Sequence, residues 1–174
     1  VLQTPIPGKG EILTALTVHW LAKVFSAFQT KNHLLSYGRN LRSYLPSPVS
    51  ENADLWRRSL LVMELKMAPF ECIARGYLTG SGWLSYKKNG TVCGHCLPVG
   101  LFDGSKLLTP IFTPTTKAEE GHDEHIDASA LDSSGLSEKT MAVYATAAYY
   151  AKKRGIILAD TKLEFSIDGI LAGH

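Results

Sequence analysis

The feature that most constrains this chain is an alternation near its C-terminal end. Residues Lys162-Leu163-Glu164-Phe165-Ser166-Ile167 switch between polar and apolar at every step, and Asp160-Thr161 lead into them in the same register with the charge on the polar side. Successive side chains of an extended strand point to opposite faces. The spacing therefore predicts a strand with Asp160, Lys162, Glu164 and Ser166 on one face. Thr161, Leu163, Phe165 and Ile167 take the other, and the apolar run Ile156–Ala159 reads as the start of the same strand. Two carboxylates flanking a lysine suit a site that holds a hard cation beside phosphate oxygens. On pattern alone the commoner case is a solvent face with cross-strand ion pairs.

Two segments read as helices. In residues 10–28, Leu13, Leu16, Trp20, Val24 and Phe28 recur every three or four positions, widened by Ile12, Leu21 and Phe25, which predicts an amphipathic helix on a core. In residues 136–154, Met141, Tyr144, Ala145, Ala148 and Tyr149 form one face. Ser137 is a candidate N-cap, Lys152, Lys153 and Arg154 favour the C-terminal end, and Gly155 is a stop. Residues 36–58, with Gly38, Pro46 and Pro48, read as loop or short extended pieces. The runs 59–67 and 71–78, broken at Ala68-Pro69, read as two strands joined by a short connection. Thr79-Gly80-Ser81-Gly82 is too glycine-rich for regular structure, and Trp83–Lys88 reads as one helical turn ended by Asn89-Gly90. Residues 91–128 read as long and irregular, a pattern usually tied to function or disorder.

Composition excludes several classes. With 174 residues, net charge +2 and 45% hydrophobic residues, this is an ordinary globular composition with room for one domain or one and a half. Eighteen basic against sixteen acidic residues give no pull toward nucleic acid or membrane. No apolar run is long enough to span a bilayer, and the N-terminal residues lack a signal-peptide pattern. Three cysteines do not make a disulfide framework, so a cytoplasmic setting is expected.

Three further stretches carry candidate chemistry. Arg75-Gly76-Tyr77-Leu78-Thr79-Gly80-Ser81-Gly82 offers a guanidinium fork, hydroxyls and glycines to a phosphate or carboxylate; a plain turn is as simple. In residues 113–125, the threonine hydroxyls and Lys117 can meet phosphates, and Asp123 can help hold a metal. His122 and His125 have a zinc-compatible spacing but no evident third ligand. Cys93-Gly94-His95-Cys96 matches a thiol–disulfide dithiol as a string, yet Pro98 cuts off the helix that would stabilise its thiolate. Cys72, inside an apolar run, reads as packing.

Taken in order along the chain, several segments resemble the SAICAR synthetase family of purine biosynthesis. They are Ile6-Pro-Gly-Lys-Gly-Glu-Ile-Leu-Thr14, Asn32-His-Leu34, Arg58-Ser-Leu-Leu-Val62, Arg75-Gly-Tyr-Leu-Thr-Gly-Ser81, Gly90-Thr-Val92, Leu97-Pro98 with Gly100-Leu101, Pro110-Ile-Phe-Thr-Pro-Thr-Thr-Lys-Ala-Glu119 with His122-Asp-Glu124, and Ala159-Asp-Thr-Lys-Leu-Glu-Phe165. The resemblance implies an α+β, two-lobed fold related to ATP-grasp. Residues 1–66 would supply part of the nucleotide lobe and the hinge, and 67–174 the central substrate and ATP region. It also implies an ATP- and Mg²⁺-dependent ligase joining L-aspartate to carboxyaminoimidazole ribonucleotide through an acyl phosphate.

Carried over by position, Arg75 and Ser81 are expected to contact the ribonucleotide. Lys117 is expected near the nucleotide phosphates, and Met63, Glu64 and Lys66 at the adenine. Asp123 and Glu164 are expected at Mg²⁺, and Asp160 and Lys162 as the catalytic pair, with Glu71 orienting the site. Family segments expected before Val1 and after His174 are not in the sequence, and Ser166 stands where the family has glycine. The sequence therefore reads as a fragment or incomplete version of the enzyme, prone to self-association, with a catalytically inactive nucleotide-binding fragment as the alternative.

Overall fold

The structure, a computed structural model, describes residues 4, 6–26, 29–117 and 124–173, with the backbone alone at 132–133. The fold is α+β, in two compact units, 1–65 and 66–174.

In the first unit, α1 (Lys9–Val18) runs into a π-helical segment, His19–Phe25. The single amphipathic helix expected over 10–28 is thus corrected. The wider turn of a π-helix breaks the 3.6-residue period at His19, and the apolar stripe divides there. Leu21, Val24 and Phe25 are buried, whereas Ile12, Leu13 and Leu16 remain exposed. Trp20 stacks on Phe25 with ring centroids 5.6 Å apart. Strand β1 (Leu34–Tyr37) pairs antiparallel with β2 (Leu60–Val62). The segment between them, expected as loop, contains two 3₁₀ turns (Gly38–Tyr44 and Val49–Glu51) and the short helix α2 (Ala53–Arg57). Asn52 starts α2 by accepting from the Asp54 and Leu55 amides at 3.1 and 3.2 Å.

The second unit is built around β3 (Phe70–Leu78), which lies between β6 (Ser105–Phe112) and β8 (Asp160–Phe165), with β9 (Leu171–Gly173) beyond β8. The other end of β3 pairs with β7 (Thr115–Thr116). Every described pairing is antiparallel. The expected neighbouring strands 59–67 and 71–78 are not neighbours: β2 pairs with β1, and β3 pairs with later segments. The Ala68-Pro69 link is not a hairpin turn. The Ala68 amide bonds the Phe165 carbonyl, and the Ile167 amide bonds the Lys66 carbonyl.

Helix α3 (Gly80–Asn89) begins inside the glycine-rich stretch expected to be irregular and ends at Gly90. Residues 91–128 are also more regular than expected. They hold a small hairpin, β4 (Thr91–Val92) with β5 (His95–Cys96), followed by β6 and β7. Strand β6 is hard to see in sequence because Pro110 and a bulge interrupt it: its partner shifts from Ile111 opposite Arg75 to Lys106 opposite Tyr77. Proline is tolerated on such an edge strand. Leu78, Tyr86, Val92, Leu107 and Ile111 form a core beneath α3.

Helix α4 (Leu136–Lys152) buries Leu136, Thr140, Val143, Tyr144, Ala147 and Ala151. The expected face is therefore rotated; Ala145 and Tyr149 are exposed. Small side chains at 147 and 151 face inward although their bulk gave no hydrophobic signal. Gly135, not Ser137, occupies the N-cap. Residues 156–159 are not strand, and Ile156 and Ile157 are exposed. Along β8 the alternation holds through Leu163 and Phe165, then fails: Ser166 is buried and Ile167 exposed. The cause is a turn in which the Ser166 hydroxyl accepts from the Ile170 amide at 3.0 Å. Among the described residues no helix is long and apolar enough to cross a membrane.

Candidate active site

The site grows from the middle of the sheet. In β3, Arg75 stands opposite Asp160 of β8 on one side and Ile111 of β6 on the other. Its side chain is 4% exposed. A buried charge is costly unless paired and hydrogen-bonded, and this guanidinium is both. Nε donates to Thr113 Oγ1 at 3.0 Å. Nη1 donates to Asp160 Oδ2 at 2.9 Å and to the Thr79 carbonyl at 3.4 Å. Nη2 donates to Ser81 Oγ at 2.9 Å. One glycine of the stretch now has a reason: a Cβ on Gly82 would lie 3.1 Å from Arg75 Cδ. Helix α3 can thus start directly against the guanidinium. Burial pulls the Arg75 pKa below its ordinary value and the Asp160 charge opposes that shift; an arginine stays cationic regardless.

Strand β8 supplies a row of ion pairs. Asp160 meets Arg75, Lys162 meets Glu71, and Glu164 accepts from Lys117 Nζ at 3.0 Å. Residues two apart on a strand are about 6.6 Å apart, so the charges on this face alternate in sign along its length. Glu71 is buried, and Thr115 Oγ1 donates to it at 3.4 Å. A cavity of about 740 Å³ opens over Glu71, Arg75, Ser81, Asp160 and Lys162, with His125 on its wall. Burial, and next the Arg75 charge, lower the His125 pKa and favour its neutral form.

The structure thus brings together Arg75, Ser81, Asp160 and Lys162, and places Lys117 with Glu164 further along the same strand face. Ser166, expected on that face, is buried in the turn after β8. The hydroxyls of Thr113 and Thr115, expected to meet phosphates, point inward to Arg75 and Glu71. Met63 and Glu64 lie in the first unit, where the Met63 amide bonds the His33 carbonyl at 2.8 Å; Lys66 opens the second. Asp123 and His122 lie outside the described residues. Among the described residues no group of three His, Cys, Asp or Glu can hold a metal.

Sequence reasoning missed Thr113 as the partner of Arg75, because nothing local distinguishes it from its neighbouring threonines. It also read His125 only as a metal ligand. The dithiol string has no redox geometry. Cys93 sits at φ +48° in the turn between β4 and β5, buried, its thiol donating to the Pro114 carbonyl at 3.6 Å. Burial pushes its pKa up to about 11.

The sequence pattern of the SAICAR synthetase family matches residues 1–172. The phosphoribosylaminoimidazole-succinocarboxamide synthase of Streptomyces avermitilis is 46% identical over 97% of this chain and 56% of its own length. That of Thermodesulfovibrio yellowstonii is 43% identical, over 95% and 58%. Among solved structures, SAICAR synthase from Saccharomyces cerevisiae complexed with SAICAR superposes with TM-score 0.84 at 39% identity, covering 99% of this chain and 61% of that one. A SAICAR synthetase in complex with ADP gives TM-score 0.69 at 25% identity, over 98% and 65%. The chain spans just over half the length of the curated relatives it matches. With a family pattern matched from residue 1 to 172 and a fold shared with these enzymes, the chain belongs to the SAICAR synthetase family.

Proposed function

We propose that this chain carries substrate- and nucleotide-binding parts of an ATP-dependent carbon–nitrogen ligase, joining L-aspartate to carboxyaminoimidazole ribonucleotide to form SAICAR. ATP phosphorylates the ribonucleotide carboxylate; the aspartate amine then attacks the acyl phosphate, releasing phosphate. Each participant is anionic, so the protein must offset their repulsion and hold the carboxylate in line with the γ-phosphate.

The observation that carries this reading is the ion-paired face of β8, where Lys162 of the strand itself is flanked by Arg75 of β3, paired to Asp160, and by Lys117, paired to Glu164. Arg75 orients Ser81 and Asp160 beside the cavity, at the place assigned to the ribonucleotide. Lys162 and Lys117, both half-exposed, present ammonium groups that an incoming anion can reach. Met63, Glu64 and Lys66 are assigned to the adenine, and Asp160 with Lys162 to the reacting groups.

Mg²⁺ is bound through one or two carboxylates, with substrate phosphates and water completing its shell. Glu164 fits that donor chemistry: its carboxylate is about one-third exposed and already holds the lysine assigned to phosphate. Asp123 is the second assigned acid. When bound, the ion would neutralise charge on the triphosphate.

The test is a coupled ADP-release assay with the ribonucleotide, aspartate and Mg-ATP. ADP release that stops when either co-substrate is omitted supports the ligase. ATP binding without turnover supports the non-catalytic nucleotide-binding alternative. Binding of neither nucleotide nor ribonucleotide overturns both.

A further inference from the structure

Asp160, which faces Arg75, enters β8 from a segment held by hydrogen bonds rather than by burial. Residues 156–159 precede β8, none of them is buried, and they are not part of the strand. Two consecutive carbonyls anchor this lead-in. The Ala159 carbonyl accepts from the Gly76 amide at 2.9 Å and from the Tyr77 amide at 3.1 Å. The Leu158 carbonyl accepts from the Tyr144 hydroxyl at 2.8 Å. Tyr144 comes from the buried face of α4 and is itself buried.

The same phenol explains Gly76, the residue next to Arg75. A Cβ there would lie 2.0 Å from the Tyr144 oxygen and 3.0 Å from its Cζ. Gly76 has no left-handed backbone to account for it; the phenol occupies the space a side chain would take. Burial, the nearby Tyr77 and Asp160 all raise the Tyr144 pKa, so the hydroxyl stays a donor at physiological pH.

We propose that Tyr144 is a positioning residue: its hydroxyl, seated against Gly76, pins Leu158 so that Asp160 is presented to Arg75 beside the cavity. The pinning stands on geometry alone; its consequence for ligand binding rests on the reading of the cavity as the ribonucleotide site. The phenol reaches Asp160 through the backbone and touches no reacting group.

The experiment is a double-variant cycle in the full chain: Tyr144→Phe, Gly76→Ala and both together. Tyr149→Phe is the control, the same change at an exposed position of the same helix. Amide hydrogen exchange reads the pinning, and calorimetric titration with SAICAR and with ADP reads its consequence. Tyr144→Phe is expected to speed exchange at Gly76 and Tyr77 about tenfold, with Cys72–Ala74 unchanged. It should weaken SAICAR binding about three- to tenfold and leave ADP binding within about twofold, the loss of one hydrogen bond felt at one end of β8. Gly76→Ala should do more damage, and adding Tyr144→Phe to it should recover part of the loss by removing the clashing oxygen. If Gly76→Ala does not fold alone, its folding in the Tyr144→Phe background shows the same coupling. Unchanged exchange at Gly76 and Tyr77 in Tyr144→Phe, with additive effects in the cycle, overturns the proposal. Equal weakening of SAICAR and ADP also overturns it, since that marks general loss of structure. If the parent chain binds neither ligand, the functional reading fails, while exchange and the cycle still decide the role of Tyr144.

Discussion

Arg75 and Asp160 are 85 positions apart in the chain, yet they face each other on adjacent strands with Nη1 and Oδ2 2.9 Å apart. Their exposures differ tenfold, 4% for Arg75 against 43% for Asp160. The arginine is therefore the structural member of the pair, fixed by Thr113 and Ser81 as well, and the aspartate is the member that solvent or a ligand can reach.

That asymmetry predicts the outcome at Arg75. Arg75→Lys keeps the charge but loses the planar fork, and one ammonium cannot serve Thr113, Asp160 and Ser81 together. Both Arg75→Lys and Arg75→Ala should lower stability by about 2–4 kcal/mol in urea unfolding, because buried partners lose their hydrogen bonds. Wild-type stability in the lysine variant would show that the fork is dispensable.

Lys117 and Glu164 behave differently because both are substantially exposed. A pair of this kind contributes less than about 1 kcal/mol to folding. Lys117→Ala is thus expected to leave the unfolding midpoint almost unchanged while weakening Mg-ATP binding about tenfold or more, a loss of roughly 1.4 kcal/mol. Arg75→Ala should instead act mainly on the ribonucleotide, through the Ser81 and Asp160 side chains it orients, measured under conditions where the variant remains folded. Calorimetric titration of both variants with both ligands checks the division; matching losses for the two ligands would refute it.

The cysteines offer a test that needs no substrate. Cys96 is exposed, whereas Cys72 and Cys93 are buried with pKa values pushed up to about 11. At pH 8 a thiol of that pKa is thiolate in only about one molecule in a thousand. Brief iodoacetamide treatment of the native chain should modify Cys96 alone, with Cys72 and Cys93 following only in denaturant. Rapid native labelling of Cys93 would reopen the dithiol reading.

Two histidines set a pH trend. Burial lowers the pKa of His33, and burial followed by the Arg75 charge lowers that of His125. Below the unfolded value near 6.5 the unfolded chain binds protons more readily than the folded one, so stability rises with pH there. The contribution is complete above 6.5 and is lost as pH falls through the folded-state values. Urea midpoints at pH 7.5 and 5.5 should differ in that direction, and His33→Gln should reduce the difference. A higher midpoint at pH 5.5 in the parent, reversed by the same substitution, would contradict the assignment.

Val99 and Leu108 are 100% and 98% exposed, and Phe102 is also exposed. If these side chains were to meet in one contiguous patch they would favour association, the outcome the fragment reading expects. Sedimentation velocity should show a concentration-dependent increase in size, reduced by Leu108→Lys. A single monomeric boundary at every concentration would count against it.

Some of this was legible in sequence because it depends on neighbours along the chain. The alternation of residues 160–165 is enough to place Asp160, Lys162 and Glu164 on one face, since the period of a strand is local. The end of α3 at Gly90 and the stop at Gly155 follow from local backbone preference in the same way. The family resemblance, read from segments in order, is borne out by the match over residues 1–172.

The remainder depended on distant partners. No local signal says that residues 60–62 pair with residues 34–37 rather than with 70–78, or that Pro110 lies within a bulged edge strand. The buried face of α4 was misread because alanines 147 and 151 pack inward by virtue of small size, which periodicity of bulk does not register. Arg75 was visible as a cation near glycines, but its burial and its four hydrogen-bond acceptors arise only when β3, α3, β6 and β8 converge. Sequence by itself determined which residues share a strand face and which family the chain resembles, because side-chain alternation and motif order are properties of the chain. Tertiary structure alone decided which charge meets which, because a salt bridge across 85 residues exists only after the sheet has brought its strands into register.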